Sequence, residues 1–235
     1  AQYHRLVVSV RGVNRDLITN GSFGEQNQDN SNSVSAFNSN GFSLGPDGAV
    51  NTNNNTYVAW TWDAGTSTVS NTDGSITSSV RANPSAGFSI VSYSGSGSNA
   101  TVGHGLNAAL DFIIIKRRNT TGEWRCWHSA LSNTQGIDLN STGAAFTDDS
   151  FNNTIPTSSV FTVKGGVANV NATSSSYVAY CFSAVAGYSA FGSYTGNGNA
   201  NGPFVYTGFR PPWITMHDAD PHVPHLALEH SHTHH

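Results

Sequence analysis

The chain has 235 residues, which suffices for one large domain or two small ones. Only 10% of these residues are charged and the net charge is −4, so there is no basic field that would attract nucleic acid. No run of residues approaches the roughly 20 apolar residues of a membrane span. We therefore expect neither nucleic acid nor a membrane among the partners of this chain.

The composition between the apolar runs favours an all-β fold. Asn, Ser, Thr and Gly dominate these stretches, and aromatic residues make up 11% of the chain. Asn and Gly suit turns with positive φ, whereas Thr, Val and Tyr suit strands. No stretch has a convincing helical period. We predict tandem antiparallel β-sandwich modules of a jelly-roll-like kind.

Most predicted strands have four to eight residues and alternate with period two. In one of them, Trp60 and Trp62 share a face that we expect to lie in the core. The predicted strands are 6–10, 34–37, 41–44, 56–62, 67–71, 75–81, 87–93, 112–118, 124–129, 136–139, 159–163, 176–183, 189–194, 203–207 and 212–216.

Two sets of segments recur along the chain. The first set aligns NTNNNTYVAWTWDAG (51–65) with NVNATSSSYVAYCFSAV (169–185), so that Tyr57 matches Tyr177 at an offset of 120. Upstream of each, Phe42-Ser43-Leu44 aligns with Phe161-Thr162-Val163. The second set aligns residues 86–100 with 186–200 at an offset of 100, and LDFIIIKRR (110–118) with PPWITMHDA (211–219).

The order of these matches predicts one complete module and two half-modules that we expect to pack together. The predicted divisions are 1–65, the back half of a module; 66–85, a β-hairpin connector; 86–185, the complete module; 186–216, the front half of a further module; and 217–235, a His-rich tail. The end of this tail, LEHSHTHH, is typical of an affinity tag.

Three long stretches carry a family resemblance: residues 56–97, HGLNAALDFIIIKRRNTTGEW (104–124) and FGSYTGNGNANGPFVYTGFRP (191–211). They resemble repeat modules of tail-fibre-like virion proteins of marine bacteriophages, over residues 9–213. The resemblance implies a structural or adhesive role in an oligomeric fibre, and it brings no catalytic residues.

Residues 95–100 spell G-x-G-x-x-A after an apolar strand, the letter pattern of a dinucleotide-binding loop. Such a loop needs a helix directly after it to hold the pyrophosphate. Gly103, Gly105 and a β-branched run at 113–115 leave no room for that helix. We predict a β-turn and expect no cofactor.

Two histidines are nominal catalytic bases. His104 lies in a Gly-His-Gly turn, and His128 shares a strand face with Cys126. A hydrolase would need such a base beside a positioned nucleophile, but we favour structural packing for both histidines. Cys126 and Cys181 are the only cysteines, and we expect buried free thiols rather than a disulfide.

Oxygen and imidazole ligands offer weak candidates for metal sites. Asp148 and Asp149 share a polar turn with oxygen ligands that suit Ca²⁺. Near the C-terminus, imidazole and carboxylate groups that suit zinc or copper come from His217, Asp218, Asp220 and His222.

The stretch 196–211 is the candidate for glycan contact. It combines amide side chains with aromatic rings, the groups that orient and stack sugars, and the candidate residues are Asn197, Asn199, Tyr206 and Phe209, together with Trp213. The sequence thus favours a non-catalytic phage virion protein, a tail-fibre or decoration component outside the cell. Its expected partners are copies of itself (a trimer is one option), other virion proteins and host glycans. The alternatives are a secreted carbohydrate-binding module and a hydrolase using His104 or His128.

Overall fold

A computed structural model describes residues 3–27 and 33–220, and nearly all of its regular structure is β-strand. The strands are β1 (Arg5–Leu6), β2 (Arg15–Ile18), β3 (Gln26–Asn27), β4 (Val34–Asn38), β5 (Gly41–Leu44), β6 (Val69–Asn71), β7 (Ser78–Asn83), β8 (Phe88–Ser94), β9 (Ala100–Gly103), β10 (Phe112–Arg117), β11 (Trp124–His128), β12 (Gln135–Asp138), β13 (Phe146–Thr147), β14 (Val160–Val163) and β15 (Ser176–Phe182).

An eight-stranded antiparallel sheet forms the centre of the molecule. Its order is β13-β12-β11-β10-β15-β8-β7-β6, so β15 lies between β10 and β8. The β15 ladder is the longest, running from Ser176 opposite Ser94 to Phe182 opposite Phe88. Strands that meet from distant parts of the chain thus form the middle of the sheet.

One face of this sheet, the inner face, is covered by the two-stranded ribbon β9–β14. Alternate residues of the central strands point to it, among them Val91, Ile113 and Tyr177, and they pack with Val102 and Phe161 of the ribbon. All five side chains are buried. This sandwich confirms the predicted all-β antiparallel class, because period-two alternation places every second residue in the core.

The other face, the outer face, is covered by the N-terminal segment. Strands β1, β2 and β3 form a separate small sheet. Leu17 of β2 and Val8, which follows β1, pack on Ile90, Trp124 and Tyr180 of the large sheet. A fourth sheet is the hairpin of β4 and β5. The N-terminal segment is therefore attached to the large sheet through a second hydrophobic core.

The predicted hairpin within 66–85 is formed by β6 and β7. β7 also pairs with β8, so the hairpin is the edge of the large sheet. Helical structure among the described residues is confined to single turns, Gly48–Asn51 and the 3₁₀ turn Pro84–Ala86. No helix in this part of the chain is long and apolar enough to cross a membrane.

Several strand predictions are wrong. Residues 56–62, 203–207 and 212–216 form no strand, and 189–194 contributes only one isolated bridge at Ser189. The core prediction for Trp60 and Trp62 is wrong as well, because their side chains are 66% and 44% exposed. The alternation of these segments is right for strands, but no neighbouring strand pairs with them.

Candidate functional sites

The predicted glycan-contact residues are exposed but do not form one site. Asn197 and Asn199 bond within their own turn, where the Asn199 N–H donates to Asn197 Oδ1 at 3.1 Å. Tyr206 is 81% exposed, whereas Phe209 is half-buried. Among the described residues, no hydrogen bond or ring contact joins Tyr206 or Phe209 to the two asparagines.

Trp213, the last glycan candidate, lies against a distant tryptophan instead. Its ring stands edge-on to Trp62 with the centroids 5.7 Å apart. Trp62 also contacts Phe88, at the end of the large sheet. This pair is the ring contact between the two predicted half-modules.

The two predicted calcium ligands already have cationic partners. Asp148 accepts a hydrogen bond from Arg125 Nη1 at 2.6 Å, and Asp149 pairs with Lys164. Both acids line an open cavity of about 370 Å³ with Thr134, Thr147 and Asn153. Arg125 also pairs with Asp138, and the Asp149–Lys164 pair is at the surface, so both predicted calcium ligands take part in ion pairs.

The C-terminal metal candidates form no cluster of ligands in the described residues. His217 contacts backbone oxygens of Asp218 and Ser141 through its two ring nitrogens. The carboxylate of Asp218 accepts the backbone N–H of Asp220. His222 lies outside the described residues. Within residues 3–27 and 33–220, no group of three or more His, Cys, Asp or Glu side chains is placed to hold a metal.

His104 is fully buried, and both of its ring nitrogens are occupied. Nδ1 accepts the Leu106 N–H at 3.3 Å, and Nε2 lies 3.3 Å from the Thr157 carbonyl oxygen. Burial lowers the pKa of His104, because the charged ring loses its hydration. The ring therefore bonds to the backbone of two loops, at Leu106 and at Thr157, and neither nitrogen is free to contact a substrate.

The other nominal catalytic pair, Cys126 and His128, has no reactive nucleophile. The Cys126 thiol is buried, and burial raises its pKa well above the usual range, so the reactive thiolate is suppressed. His128 is half-buried against the rings of Phe112 and Phe191. Cys181 is free too, and it lies two strands from Cys126 on the opposite face, so the two thiols do not bond.

The best-built polar site carries no signal in the local sequence. Here the N-terminal segment docks onto the outer face of the large sheet. Trp124 Nε1 donates to the carbonyl oxygens of Ile18 and Gly21 at 3.0 and 3.1 Å. Lys116, which is fully buried, donates to the Ser22 carbonyl at 3.2 Å. Burial lowers the pKa of Lys116 to about 8.

A carboxylate bridged by two arginines completes this docking site, which the sequence patterns missed. Glu25 accepts hydrogen bonds from Arg11 Nη1 at 2.5 Å and from Arg118 Nε and Nη2 at 2.9 and 3.0 Å. Burial opposes ionisation of Glu25, but the hydrogen bonds from Arg118 and the charge of Arg11 outweigh it, so its pKa is lowered. The three residues are distant in sequence, and no local pattern signals their meeting.

The repeat at an offset of 120 extends to individual hydrogen bonds. Arg5 pairs with Ile18 as Arg125 pairs with Asp138. The His4 N–H donates to Asn20 Oδ1 at 3.1 Å, and the Trp124 N–H donates to Asn140 Oδ1 at 3.0 Å. β3 joins β2 in the register by which β13 joins β12. The N-terminal segment therefore repeats the structure of β11, β12 and β13.

The loops before the two matching tyrosines are also the same. Tyr57 Oη donates to Gly48 O at 3.2 Å and accepts the Thr52 N–H at 3.0 Å. Tyr177 Oη makes the same two bonds, to Ala168 and Ala172, at 2.8 and 2.9 Å. Asn54 and Ser174 share a positive φ at corresponding positions. Each tyrosine thus closes its own loop.

A family model described as a domain of unknown function, DUF7483, matches residues 1–228. The chain belongs to this family. No curated protein and no solved structure matches it. The match includes both 4–62 and 124–182, the two segments in which local structure repeats.

Proposed function

We propose that this DUF7483 domain is a non-catalytic structural protein of a phage virion, a component of a tail fibre or of a capsid decoration. The observation that carries the proposal is the docking of one repeat copy on the next through Trp124, Lys116 and the Glu25–Arg118 pair. Repeats that contact their neighbours through a constant interface build elongated particles. The resemblance of the sequence to virion repeat modules supports the same role.

The state of the candidate catalytic groups agrees with a structural role. His104 and Cys126 are buried, and the two nitrogens of His104 are occupied by loop backbone. A general base needs a free nitrogen within hydrogen-bond reach of the substrate. Neither residue presents a reactive atom to solvent in this conformation.

The experiment for the virion role is immunogold electron microscopy on particles of a phage that carries this gene. Antibodies raised against the chain are expected to place gold on the tail or the capsid surface. Mass spectrometry of the same gradient fractions should find peptides of the chain co-sedimenting with the particles. A chain found only in the particle-free fraction contradicts the proposal.

A glycan-binding role is the second candidate, because Tyr206 and Phe204 are 81% and 89% exposed. Exposed aromatic rings beside amides are the groups that stack on and orient sugars. A lectin should be retained on a glycan array, and Tyr206→Ala should abolish the retention. Tyr3→Ala, at another exposed tyrosine outside residues 196–211, is the matched control.

The hydrolase alternative is tested with a panel of ester and glycoside substrates. The proposed role predicts no turnover above the blank. Turnover that is lost in His104→Ala or in His128→Gln, with the circular dichroism spectrum unchanged, contradicts the non-catalytic proposal.

A further inference from the structure

Two surfaces of this protein expose side chains that belong in a core. The back-half surface comprises Phe42, Leu44, Tyr57, Val58, Trp60 and Trp62, and the front-half surface comprises Tyr188, Tyr194, Trp213, Ile214 and Met216. All of them are at least 40% exposed. Exposed apolar patches of this extent mark interaction sites on soluble proteins.

The complete module shows what covers the back-half surface. At an offset of 120, Tyr57, Val58 and Trp60 correspond to Tyr177, Val178 and Tyr180 of β15. Tyr177 and Val178 are completely buried, and Tyr180 is nearly so. Because β15 is paired on both edges, with β8 and with β10, its side chains point to two covered faces: Tyr177 packs in the core under the β9–β14 ribbon, and Val178 and Tyr180 pack under the N-terminal segment. Among the residues that the structure describes, no strand pairs with 56–62 on either side.

The front half carries copies of both missing strands. Residues 188–194 correspond to β8, and residues 213–217 correspond to β10, in the alignment of 186–200 with 86–100 and of 211–219 with 110–118. Neither copy lies in a ladder in the described part of the chain. Each half-module therefore holds the strands that the other lacks.

One native-like contact between the two halves is already present. Trp62 corresponds to Phe182 and Trp213 to Phe112. The Trp62–Trp213 centroid distance is 5.7 Å and the Phe182–Phe112 distance is 5.8 Å, although the first pair is edge-on and the second is stacked. The side chains of the two half-modules are thus complementary at the position where the complete module brings β15 and β10 together.

Within one chain, the front half is held beside its own complete module. The Ala145 N–H donates to the Ala219 carbonyl oxygen at 3.2 Å, and His217 Nε2 contacts the Ser141 oxygen. Phe191 packs on Phe112 and Phe182. These contacts leave 56–60 and 213–216 open to solvent. In the complete module, β10 lies between β15 and β11. The corresponding place in the back half is between residues 56–62 and β1, and 213–217 do not occupy it.

We propose that the back half of one copy of this protein is completed by the front half of a second copy. Residues 213–217 and 188–194 of the second copy then flank residues 56–62 as β10 and β8 flank β15. An aromatic side chain buries about 150–250 Å²; with seven aromatic and four other apolar side chains that are each at least 40% exposed, the two surfaces together expose on the order of 1,000 Å². That area is what a specific protein–protein interface requires.

This interface joins two different surfaces, so it is head-to-tail. Each copy keeps a free front half and a free back half after one contact has formed, and a contact that does not close on itself produces an open chain of subunits. The assembly does not depend on the virion role, since a protein with no place in a particle would associate by the same surfaces.

The test uses two variants that each disable one surface. Trp60→Asp places a charge in the back-half surface, and Ile214→Asp places one in the front-half surface. Both side chains are more than 60% exposed, so the folded chain should tolerate the changes, which circular dichroism checks. Sedimentation velocity is measured with a chelator present, because metal bound by the His-rich tail would also link chains.

The wild type is expected to form a series of oligomers that grows with concentration, whereas each variant alone should stay monomeric. An equimolar mixture should give a dimer and nothing larger, because one variant supplies an intact front half and the other an intact back half. Ile155→Asp, at an exposed loop residue outside both surfaces, should associate like the wild type.

Three results would overturn the proposal. A wild type that is monomeric at every concentration means that the halves close within one chain or stay apart. An Ile214→Asp variant that still dimerises means that residues 56–62 of one copy pair with residues 56–62 of another copy and not with its front half. A mixture of the two variants that remains monomeric means that the surfaces do not complete each other.

Discussion

Residues 4–62 and 124–182 share several local structures, but their last segments differ in burial. The strand registers, the asparagine bonds at Asn20 and Asn140, and the loops closed by Tyr57 and Tyr177 agree at an offset of 120. Yet Val178 is completely buried, whereas Val58 is 80% exposed. Bonds between residues close in sequence form in both copies, but the burial of the last strand depends on its neighbours.

The largest expected difference between the copies is at these two valines. Val178→Asp places an unpaired charge between β10 and β8 and should cost about 4–5 kcal/mol of the free energy of unfolding, enough to prevent folding in a marginal domain. In the monomeric chain, at protein concentrations below those at which copies associate, Val58→Asp should leave stability unchanged. Urea unfolding measures both. Equal losses at the two positions would show that 56–62 is buried in solution.

The docking of one copy on the other is tested at Glu25. Glu25→Gln removes the charge that Arg11 and Arg118 share, and should cost about 1–3 kcal/mol, towards the lower figure because the carboxylate is partly exposed. The pKa of Glu25 is lowered from its ordinary 4.5. Its stabilising contribution is therefore complete above pH 4.5 and is lost as the pH falls through the lowered pKa.

The pH dependence of thermal unfolding compares the wild type with Glu25→Gln. The difference in stability between them should be constant above about pH 5 and should shrink at lower pH. Gln26→Glu, at the exposed neighbouring residue, is the control for a charge change in this segment. A difference that grows on acidification would contradict the assigned ionic bridge.

The two loop-closing tyrosines offer a smaller contrast. Tyr177→Phe leaves the Ala168 carbonyl and the Ala172 N–H without their partner in a buried site, so we expect a loss of about 1–3 kcal/mol. In Tyr57→Phe, water replaces the hydroxyl, and stability should not change. Chemical unfolding measures both variants. A loss at Tyr57 as large as that at Tyr177 would mean that the first loop is covered.

The smallest expected effect on the protein is a difference in thiol reactivity between corresponding positions of the two copies. Burial raises the pKa of Cys181 well above its usual range, so this thiol should not react with a thiol reagent in the native protein. Its counterpart is the exposed Thr61, and Thr61→Cys should add one fast-reacting thiol per chain. Protection of this thiol at high protein concentration would locate residues 56–62 in the interface between copies.

Much of the fold could be predicted from the sequence because the signals are local. Alternation located β8, β10, β11 and β15 to within a residue or two, and self-similarity alone located the copies of the repeat. The same alternation wrongly predicted a strand at 56–62, because alternation indicates which face of a strand is apolar but not whether a neighbouring strand is present. β9, with its buried Val102, followed a glycine-rich turn and was missed.

The candidate sites were harder to predict, because they depend on distant residues. Asn197 and Tyr206 are both exposed, although Tyr206 was predicted in a strand that does not form, and nothing joins the two residues in the described structure. Glu25, Arg11 and Arg118 meet across a long stretch of chain. No pattern in a window of sequence reports such a meeting.

By itself, the sequence determined the all-β class, the repeat and the turn chemistry of each copy. These properties follow from side-chain period, β-propensity and short-range hydrogen bonds. Only the tertiary structure decided that Val178 is buried and its counterpart Val58 is exposed. It also decided which backbone oxygens accept the hydrogen bonds of Trp124 and Lys116, and that His104 is buried. Burial and pairing depend on neighbours in space, and the residues of one strand do not specify where the next strand lies.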